Sequence, residues 1–162
     1  MGHALIRAVV IAAAMLLVGP LAARAAPDAK ATARIEDCIK SAAPAGKPMS
    51  DAERCIGIIS NPCLDRGETK STADMNACVE REHVVWDDML NETFRRLREK
   101  LDETQRVKLR EMQRAWLADR DKTCAFYWDF YQGTMASPMA AACVNRETAR
   151  RALFLLGFVV EQ

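Results

Sequence analysis

Six cysteines constrain the fold of this chain more tightly than any other feature of its sequence. They are Cys38, Cys55, Cys63, Cys78, Cys124 and Cys143. An even number in a small chain is typical of exported proteins, so three disulfides in an oxidising compartment are predicted. Six cysteines allow about fifteen pairings, and the sequence alone does not choose among them. The simplest scheme joins neighbours in that order, and each bridge would contribute about 3 kcal/mol in the chain-entropy model.

The first 25 residues have the pattern of a secretory signal peptide. Arg7 lies in a short basic start, residues 8–18 form an uncharged apolar run, and residues 23–25 read Ala-Arg-Ala, a small-x-small cleavage site. The run is too short to span a bilayer comfortably, and no later segment replaces it, so no membrane anchor is expected after cleavage. The sequence therefore predicts a periplasmic or secreted protein.

The charge balance of the remaining chain argues against one class of partner. Residues 26–162 carry 21 basic and 22 acidic side chains, which gives a net charge near −1. A nucleic-acid-binding protein would need a basic stripe, so no nucleic-acid partner is expected. The remaining length is enough for one domain with a modest core.

Apolar residues recur between residues 72 and 101 at the spacing of one helical face. The set is Met75, Val79, Trp86, Leu90, Phe94, Leu97 and Leu101. Steps of three, four and seven residues return to the same side of a helix. Ser71 and Asp74 can cap its start. The pattern predicts one long helix over this segment.

Two further helices are predicted after it. The first covers residues 103–132 and carries its own apolar stripe: Leu109, Met112, Trp116, Cys124, Tyr127 and Tyr131. Gly133 is a natural end for that helix. Ser137 followed by Pro138 then predicts the start of a last helix that reaches about Val160.

The segment before residue 71 predicts two short helices. One covers residues 29–41, and the other covers residues 51–59 behind a capping-box pattern of Ser50 and Glu53. Pro62 should end the second helix and leave a loop that extends to Lys70.

The predicted fold class is therefore all-α. We expect a disulfide-stapled helical bundle with two long antiparallel helices, a third helix packed across them and short helices at the N-terminus. The predicted organisation is a signal peptide over residues 1–25, the short helices over residues 26–62 and the main helical domain over residues 63–162.

Three sparse patterns in the second half of the chain carry a family resemblance. Residues 113–124 read Gln-Arg-Ala-Trp-Leu-Ala-Asp-Arg-Asp-Lys-Thr-Cys, residues 90–91 read Leu-Asn, and residues 143–151 follow Cys-x4-Thr-x2-Arg. Together they resemble the signature of the LprI-type lysozyme inhibitors, and the resemblance spans residues 63–155. It implies an exported helical protein whose partner is a lysozyme.

The signature residues are Leu90, Asn91, Gln113, Arg114, Trp116, Arg120, Asp121, Thr148 and Arg151. We expect them to serve the fold, since an indole on an inner helix face supplies a large buried area. A guanidinium beside it needs a carboxylate such as Asp121. Asn91 and Gln113 could bridge the two long helices, and Thr148 with Arg151 could join the last helix to the same network.

Two loops are the candidates for partner binding. One is residues 61–70, with Arg66 and Lys70, and the other is residues 132–137, with Gln132, Gly133 and Met135. Loops fixed by disulfides lose little conformational freedom on binding, which favours them as binding segments.

Five aromatic residues lie between positions 126 and 131, directly before the second loop. Five rings so close together on one helix cannot all face a single core. We therefore expect some of them to reach the surface, where an aromatic patch would suit a partner.

The function predicted from these features is binding to a lysozyme and blocking of its cleft, without chemistry. The alternative is a periplasmic binding or scaffolding protein for another envelope component. An enzyme is not expected, because no G-x-S-x-G, P-loop or H-E-x-x-H motif is present and paired cysteines leave no free thiolate. No cofactor is expected, and the absence of a CxxC pair or a Cys/His cluster argues against zinc.

Overall fold

The computed structural model describes residues 26–67 and 69–160, and the predicted signal peptide lies outside them. The described residues form five α-helices and one short 3₁₀ helix. They are α1 (Ala29–Ala42), the 3₁₀ helix (Met49–Cys55), α2 (Ser60–Asp65), α3 (Thr72–Lys100), α4 (Glu103–Tyr131) and α5 (Ala136–Val160). The all-α fold class is confirmed, and no strand is present in this part of the chain.

The two longest helices begin with reciprocal caps. The Ser71 hydroxyl accepts from the backbone N–H of Asp74, whose carboxylate accepts from the backbone of Ser71 in return. Asp102 and Gln105 form the same arrangement at the start of α4. Each capping box satisfies two N–H groups that lack partners inside the helix, which fixes where the chain turns into it.

The end of α4 is set by two residues with positive φ. Gln132 has φ 38° and Gly133 has φ 100°. Glycine adopts this conformation without a steric penalty, and α5 follows after only a few residues. Pro138 lies in the first turn of α5, where a missing N–H costs nothing.

The prediction for residues 51–59 is wrong. A 3₁₀ helix covers Met49–Cys55 instead, and its N-cap, Pro48, makes no side-chain hydrogen bond. The Glu53 carboxylate does not close a capping box, since it accepts from Arg150 Nε of α5 at 3.1 Å. The side chain that the local pattern assigned to a helix cap therefore forms a tertiary ion pair with Arg150 instead.

The prediction that Pro62 ends a helix is also wrong. Helix α2 begins at Ser60, so Pro62 is its third residue. Proline is tolerated within the first turn because the N–H groups there have no partner inside the helix. The proline that was predicted to end a helix therefore lies in the first turn of one.

Hydrogen bonds at both ends show the direction of the long helices. Asn76 Nδ2 donates to Ser137 Oγ at 2.7 Å near the starts of α3 and α5. Lys100 Nζ donates to the Val159 carbonyl at 3.2 Å near their ends, so α3 and α5 run parallel. Helix α4, which lies between α3 and α5 in the sequence, runs back in the opposite direction, so α3 and α4 are the predicted antiparallel pair.

Helix α5 is the central helix of the bundle. It packs closely against both α3 and α4, whereas α3 and α4 pack little against each other within the described residues. The core is supplied mainly by α1, α3 and α5: Ile35, Ile39, Val85, Trp86, Leu90, Leu97, Ala149, Ala152, Leu153, Leu155 and Val159. Only Leu109 and Cys124 of α4 are fully buried.

Three disulfides join neighbouring cysteines, as the simplest scheme predicted. They are Cys38–Cys55, Cys63–Cys78 and Cys124–Cys143, with Cα–Cα distances of 5.8, 5.6 and 5.5 Å. The first fixes α1 to the 3₁₀ helix, the second fixes α2 to α3, and the third fixes α4 to α5. Each helix outside the α3–α5 pair is therefore covalently attached to a neighbour.

Candidate binding site

A buried carboxylate holds the segment before α3 in place. Glu82 is fully buried, and its two oxygens accept six hydrogen bonds. The donors are Gly57 N (2.7 Å), Ile59 N (2.9 Å), Ser60 N (2.9 Å), Ser60 Oγ (3.1 Å), Trp86 Nε1 (3.0 Å) and Asn145 Nδ2 (3.1 Å). The side chain thus ties the start of α2 to α3 and α5.

The charge of Glu82 is stabilised by these donors. Burial raises the pKa of the carboxyl, but the hydrogen bonds from Ser60, Asn145 and Gly57 outweigh it, and the pKa lies below its ordinary value. All the donors belong to the fold, so the group has a structural role. It anchors the turn before α2 and the first residue of that helix, which lead into one of the two candidate binding loops.

Sequence reasoning missed Glu82, although a signal was present. Val79 and Trp86 are the only neighbours in the apolar stripe of α3 that are seven residues apart. Glu82 lies three residues after the first and four before the second, on the same helical face. A carboxylate in a gap of an apolar stripe indicates a buried acid that needs several donors.

The signature residues of α4 and α5 meet in one cluster between those helices. Arg151 Nε donates to Gln113 Oε1 at 2.9 Å, and Arg120 Nη1 approaches Thr148 Oγ1 at 3.4 Å. The guanidinium carbons of Arg120 and Arg151 lie 5.1 and 5.5 Å from the centre of the Trp116 ring. The Arg151 cation of α5 holds that helix against the indole of α4 by cation–π attraction, whereas Arg120 lies on α4 itself, four residues after Trp116.

The two arginines of this cluster differ in their surroundings. Arg120 pairs with Asp121 Oδ1 at 2.8 Å, as the sequence anticipated for a guanidinium beside the indole. Arg151 is buried, its Nη2 has no hydrogen-bond partner, and burial lowers its pKa. Its cation also lies 5.1 Å from the centre of the Phe154 ring, so aromatic faces replace a carboxylate as its counterpart.

The other signature residues lie outside the cluster. Leu90 is buried in the core, and Arg114 is exposed on α4. Asn91 is exposed and donates to Asp87 Oδ2 of its own helix at 3.2 Å, so it does not bridge the long helices. Gln113 does bridge two helices, but its partner is Arg151 of α5 rather than a residue of α3.

The two candidate loops lie at the same end of the bundle. Arg66 and Lys70 precede α3, and Gln132, Gly133 and Met135 precede α5. The parallel arrangement of α3 and α5 brings both helix starts together, as the hydrogen bond between them shows. We call this the loop end. All five residues are exposed, and the Arg66 Nε folds back to donate to the Pro62 carbonyl at 3.0 Å.

Four rings at the end of α4 form a continuous surface at this loop end. The aromatic patch consists of Phe126, Tyr127, Phe130 and Tyr131, with ring centres 6.1 Å (Phe126–Phe130), 5.1 Å (Phe130–Tyr131) and 5.8 Å (Tyr127–Tyr131) apart. Together with Thr123 they line a shallow depression of about 340 Å³. The Tyr127 hydroxyl accepts from Arg146 Nη2 at 3.3 Å, which ties the patch to α5.

The patch is large enough to be a binding surface. Phe126, Phe130 and Tyr131 are 62%, 67% and 39% exposed. At about 150–250 Å² for each aromatic side chain, these fractions leave roughly 250–400 Å² of ring surface in water. Apolar patches of this size on soluble proteins are often functional. Met135, 44% exposed in the adjoining loop, adds to the apolar surface at this end.

Other chemistry has little support in the described part of the chain. No three His, Cys, Asp or Glu side chains there are grouped in a way that could hold a metal ion. Among residues 26–67 and 69–160, no helix combines the length and apolarity needed to cross a membrane. Among the described residues, Asp74, Glu82, Arg146 and Arg151 have shifted pKa values, and the contacts of Asp74, Glu82 and Arg151 tie together parts of the fold.

These features define a class of small helical protein, stapled by disulfides, with an aromatic surface at one end. The family model described as lysozyme inhibitor LprI matches residues 63–155, which is more than half of the chain. The chain belongs to the LprI lysozyme inhibitor family, and the predicted family resemblance is confirmed. Comparisons with curated proteins and with solved structures gave no match.

Proposed function

We propose that this protein binds a lysozyme at the loop end and blocks the substrate cleft without catalysing a reaction. Family membership supports a lysozyme as the partner. The observation that carries the choice of face is the aromatic patch, since Phe126 and Phe130 are more than half exposed although both are large apolar side chains. Exposed aromatic residues in a rigid frame are the usual anchors of a protein interface.

The geometry of a lysozyme explains how such a surface could inhibit it. A lysozyme cleaves the glycosidic bond between two carboxylates that flank the bound glycan in a cleft. An inhibitor needs only to occupy or cover that cleft. The exposed rings at the loop end provide an apolar surface that can cover the groove that normally holds a sugar chain.

Rigidity favours the loop end over other surfaces. The Cys63–Cys78 and Cys124–Cys143 bridges hold the segments on either side of the two loops, and Glu82 fixes the start of α2. A surface that is already ordered loses less conformational entropy when it binds. The proposed site is therefore fixed before the partner arrives.

We further propose that the protein acts in the periplasm or outside the cell. Three disulfides fit an oxidising compartment, and a lysozyme inhibitor must meet its target where the cell wall is exposed. The first 25 residues would then be the cleaved signal peptide.

The test is a lysis assay with cell-wall suspensions, in which the oxidised protein is titrated into lysozymes of animal and bacterial type. We expect saturable inhibition near stoichiometric concentration, and we expect Phe130→Ala to weaken it at least tenfold. The matched control is Phe158→Ala, since Phe158 is 42% exposed but lies near the end of α5, away from the loop end. Equal losses in both variants would rule out the loop end as the binding face.

A second candidate function is binding of another envelope component, such as cell-wall glycan. The depression lined by Thr123 and the four rings favours it, since aromatic faces beside a hydroxyl are a suitable surface for sugars. Retention of the protein on insoluble cell wall, together with unchanged lysozyme activity in solution, would support this function over inhibition.

A further inference from the structure

We infer that the aromatic patch receives basic side chains, so that the partner surface that docks on the loop end is rich in arginine or lysine. This inference rests on the proposed function only in taking the loop end as the binding face. It adds the chemistry of the contact, which family membership leaves open.

The first argument is that the rings of the patch lack a cation. In the described part of the chain, every arginine that lies over an aromatic face lies over Trp116 or Phe154. Arg146 reaches only the hydroxyl of Tyr127. The exposed faces of Phe126 and Phe130 thus offer the negative quadrupole surface that attracts an ammonium or guanidinium group.

The second argument is the charge beside the rings. Asp129 lies three residues after Phe126, so it neighbours the patch on the helix surface, and Asp119 lies four residues before Thr123, which lines the depression together with the rings. Both are exposed, and neither forms an ion pair within residues 26–67 and 69–160. Of the bases near the patch, Arg120 and Arg146 are paired with Asp121 and Glu147, which leaves Lys122 as the unpaired base among the described residues there, and the two carboxylates outnumber it.

The third argument is the position of Asp129 within α4. It lies in the last turn of the helix, where no basic residue is present. The C-terminal end of a helix carries partial negative charge and normally favours a cation, so an acid there is unfavourable for folding. A basic group from the partner would neutralise both the carboxylate and the helix end, and it would do so at the edge of the patch.

The same charges argue against other occupants of the patch. Two copies meeting across a twofold axis would bring Asp119 and Asp129 near their own counterparts, and like charges in contact are costly. Nucleic acid and anionic lipid would meet the same carboxylates. The ring surface is also smaller than the roughly 800 Å² per partner of a standard interface, which fits an anchor inside a larger contact.

The experiment measures binding of a basic animal-type lysozyme to the oxidised protein and to two variants. We expect the double change Asp119→Lys and Asp129→Lys to raise Kd at least tenfold and to reduce its dependence on salt. A lysine at residue 129 suits the end of a helix, so this variant should keep its melting temperature. The control is Asp51→Lys, because Asp51 is exposed in the 3₁₀ helix away from the loop end.

The probe can be altered as well as the protein. Acetylation of the lysines of the lysozyme removes their charge, and we expect it to weaken binding to the wild-type protein but to change binding to the double variant much less. Wild-type affinity in the double variant would overturn the inference while leaving the proposed inhibition intact.

A short oligoarginine peptide separates the inference from the proposed function. We expect it to bind the wild-type protein and to shift the NMR signals of Phe126 and Phe130, with a clear loss in the double variant. If no lysozyme binds but the peptide does so at the patch, the proposed function fails and the inferred chemistry stands. No shift at these rings under low salt would overturn the inference.

Discussion

Helices α3 and α4 have the same length of 29 residues and similar apolar stripes, yet the fold treats them differently. Eight residues of α3 are buried, whereas α4 buries only two. Helix α5 packs against both of them. The difference arises because the short N-terminal helices cover α3 and α5 but leave α4 open. A stripe in the sequence therefore predicts a helix without predicting how much of it will be covered.

The two helices are also held in different ways. Helix α3 is fixed by apolar packing around Trp86 and by the hydrogen bonds of Glu82. Helix α4 is fixed by the Cys124–Cys143 bridge and by the signature cluster around Trp116. Discrete tethers can hold a helix while leaving the rest of its surface free, which is the arrangement that a binding helix needs.

The largest expected loss of stability comes from a change in α3, the helix that its neighbours cover. Trp86 is fully buried and donates to Glu82, so Trp86→Ala should lower the free energy of unfolding by about 3–5 kcal/mol. Denaturant unfolding of the oxidised protein measures this. A loss below about 1 kcal/mol would contradict the view that α3 and α5 form the main core.

The next effect concerns the tether of α4. Replacing Cys124 and Cys143 together by alanine should cost about 3 kcal/mol, because the bridge closes a loop of comparable size to the others. We expect proteolysis and hydrogen exchange to increase in α4 before α3. Uniform destabilisation of all three long helices would show that α4 belongs to the same cooperative core.

The loss of stability in acid should come from Glu82 of α3. The pKa of Glu82 is lowered in the folded state from its ordinary value of 4.5, so its contribution is present above that pH and is lost as the pH falls toward the folded pKa. Glu82→Gln should cost about 1–3 kcal/mol at neutral pH, since an amide N–H would face donors such as Ser60 N.

The same variant provides the check on this assignment. Glu82→Gln should flatten the fall in unfolding free energy below about pH 4.5, measured by thermal unfolding across a pH series. An unchanged acid profile would mean that other carboxylates control the acid stability of the fold.

The smallest expected loss of stability is that of Trp116→Ala, which can be compared directly with the loss in Trp86→Ala. Trp116 is half-buried between two arginines, so Trp116→Ala should cost about 1–2 kcal/mol, less than Trp86→Ala. Its predicted position on an inner helix face implied a large buried area, but the structure leaves the indole half-buried. Equal losses in the two variants, measured by denaturant unfolding, would remove the distinction between a covered and a tethered helix.

The sequence predicts the long helices well because their stripes, caps and glycine stop are local signals. Residues 51–62 were mispredicted, since Glu53 forms a pair with Arg150 that lies almost 100 residues away along the chain. Glu82 was missed for a related reason, because three of its donors are backbone N–H groups in the turn before α2 and at the first residue of α2, more than 20 residues away along the chain.

The candidate site was predicted only in parts. The sequence marked two loops and a run of aromatic residues, but their common location depends on α3 and α5 running parallel. The contact between Gln113 and Arg151 likewise depends on packing across two helices. Local patterns do not contain this information, since they do not show which faces of the helices pack together.

The most direct test of the open face of α4 is hydrogen–deuterium exchange of the oxidised protein with and without a lysozyme that it inhibits. We expect new protection in residues 123–135 and none in residues 153–160, which carry the exposed Phe154 and Phe158. Protection confined to residues 153–160, or to the α1–α3 surface, would contradict the assignment of the loop end as the binding face.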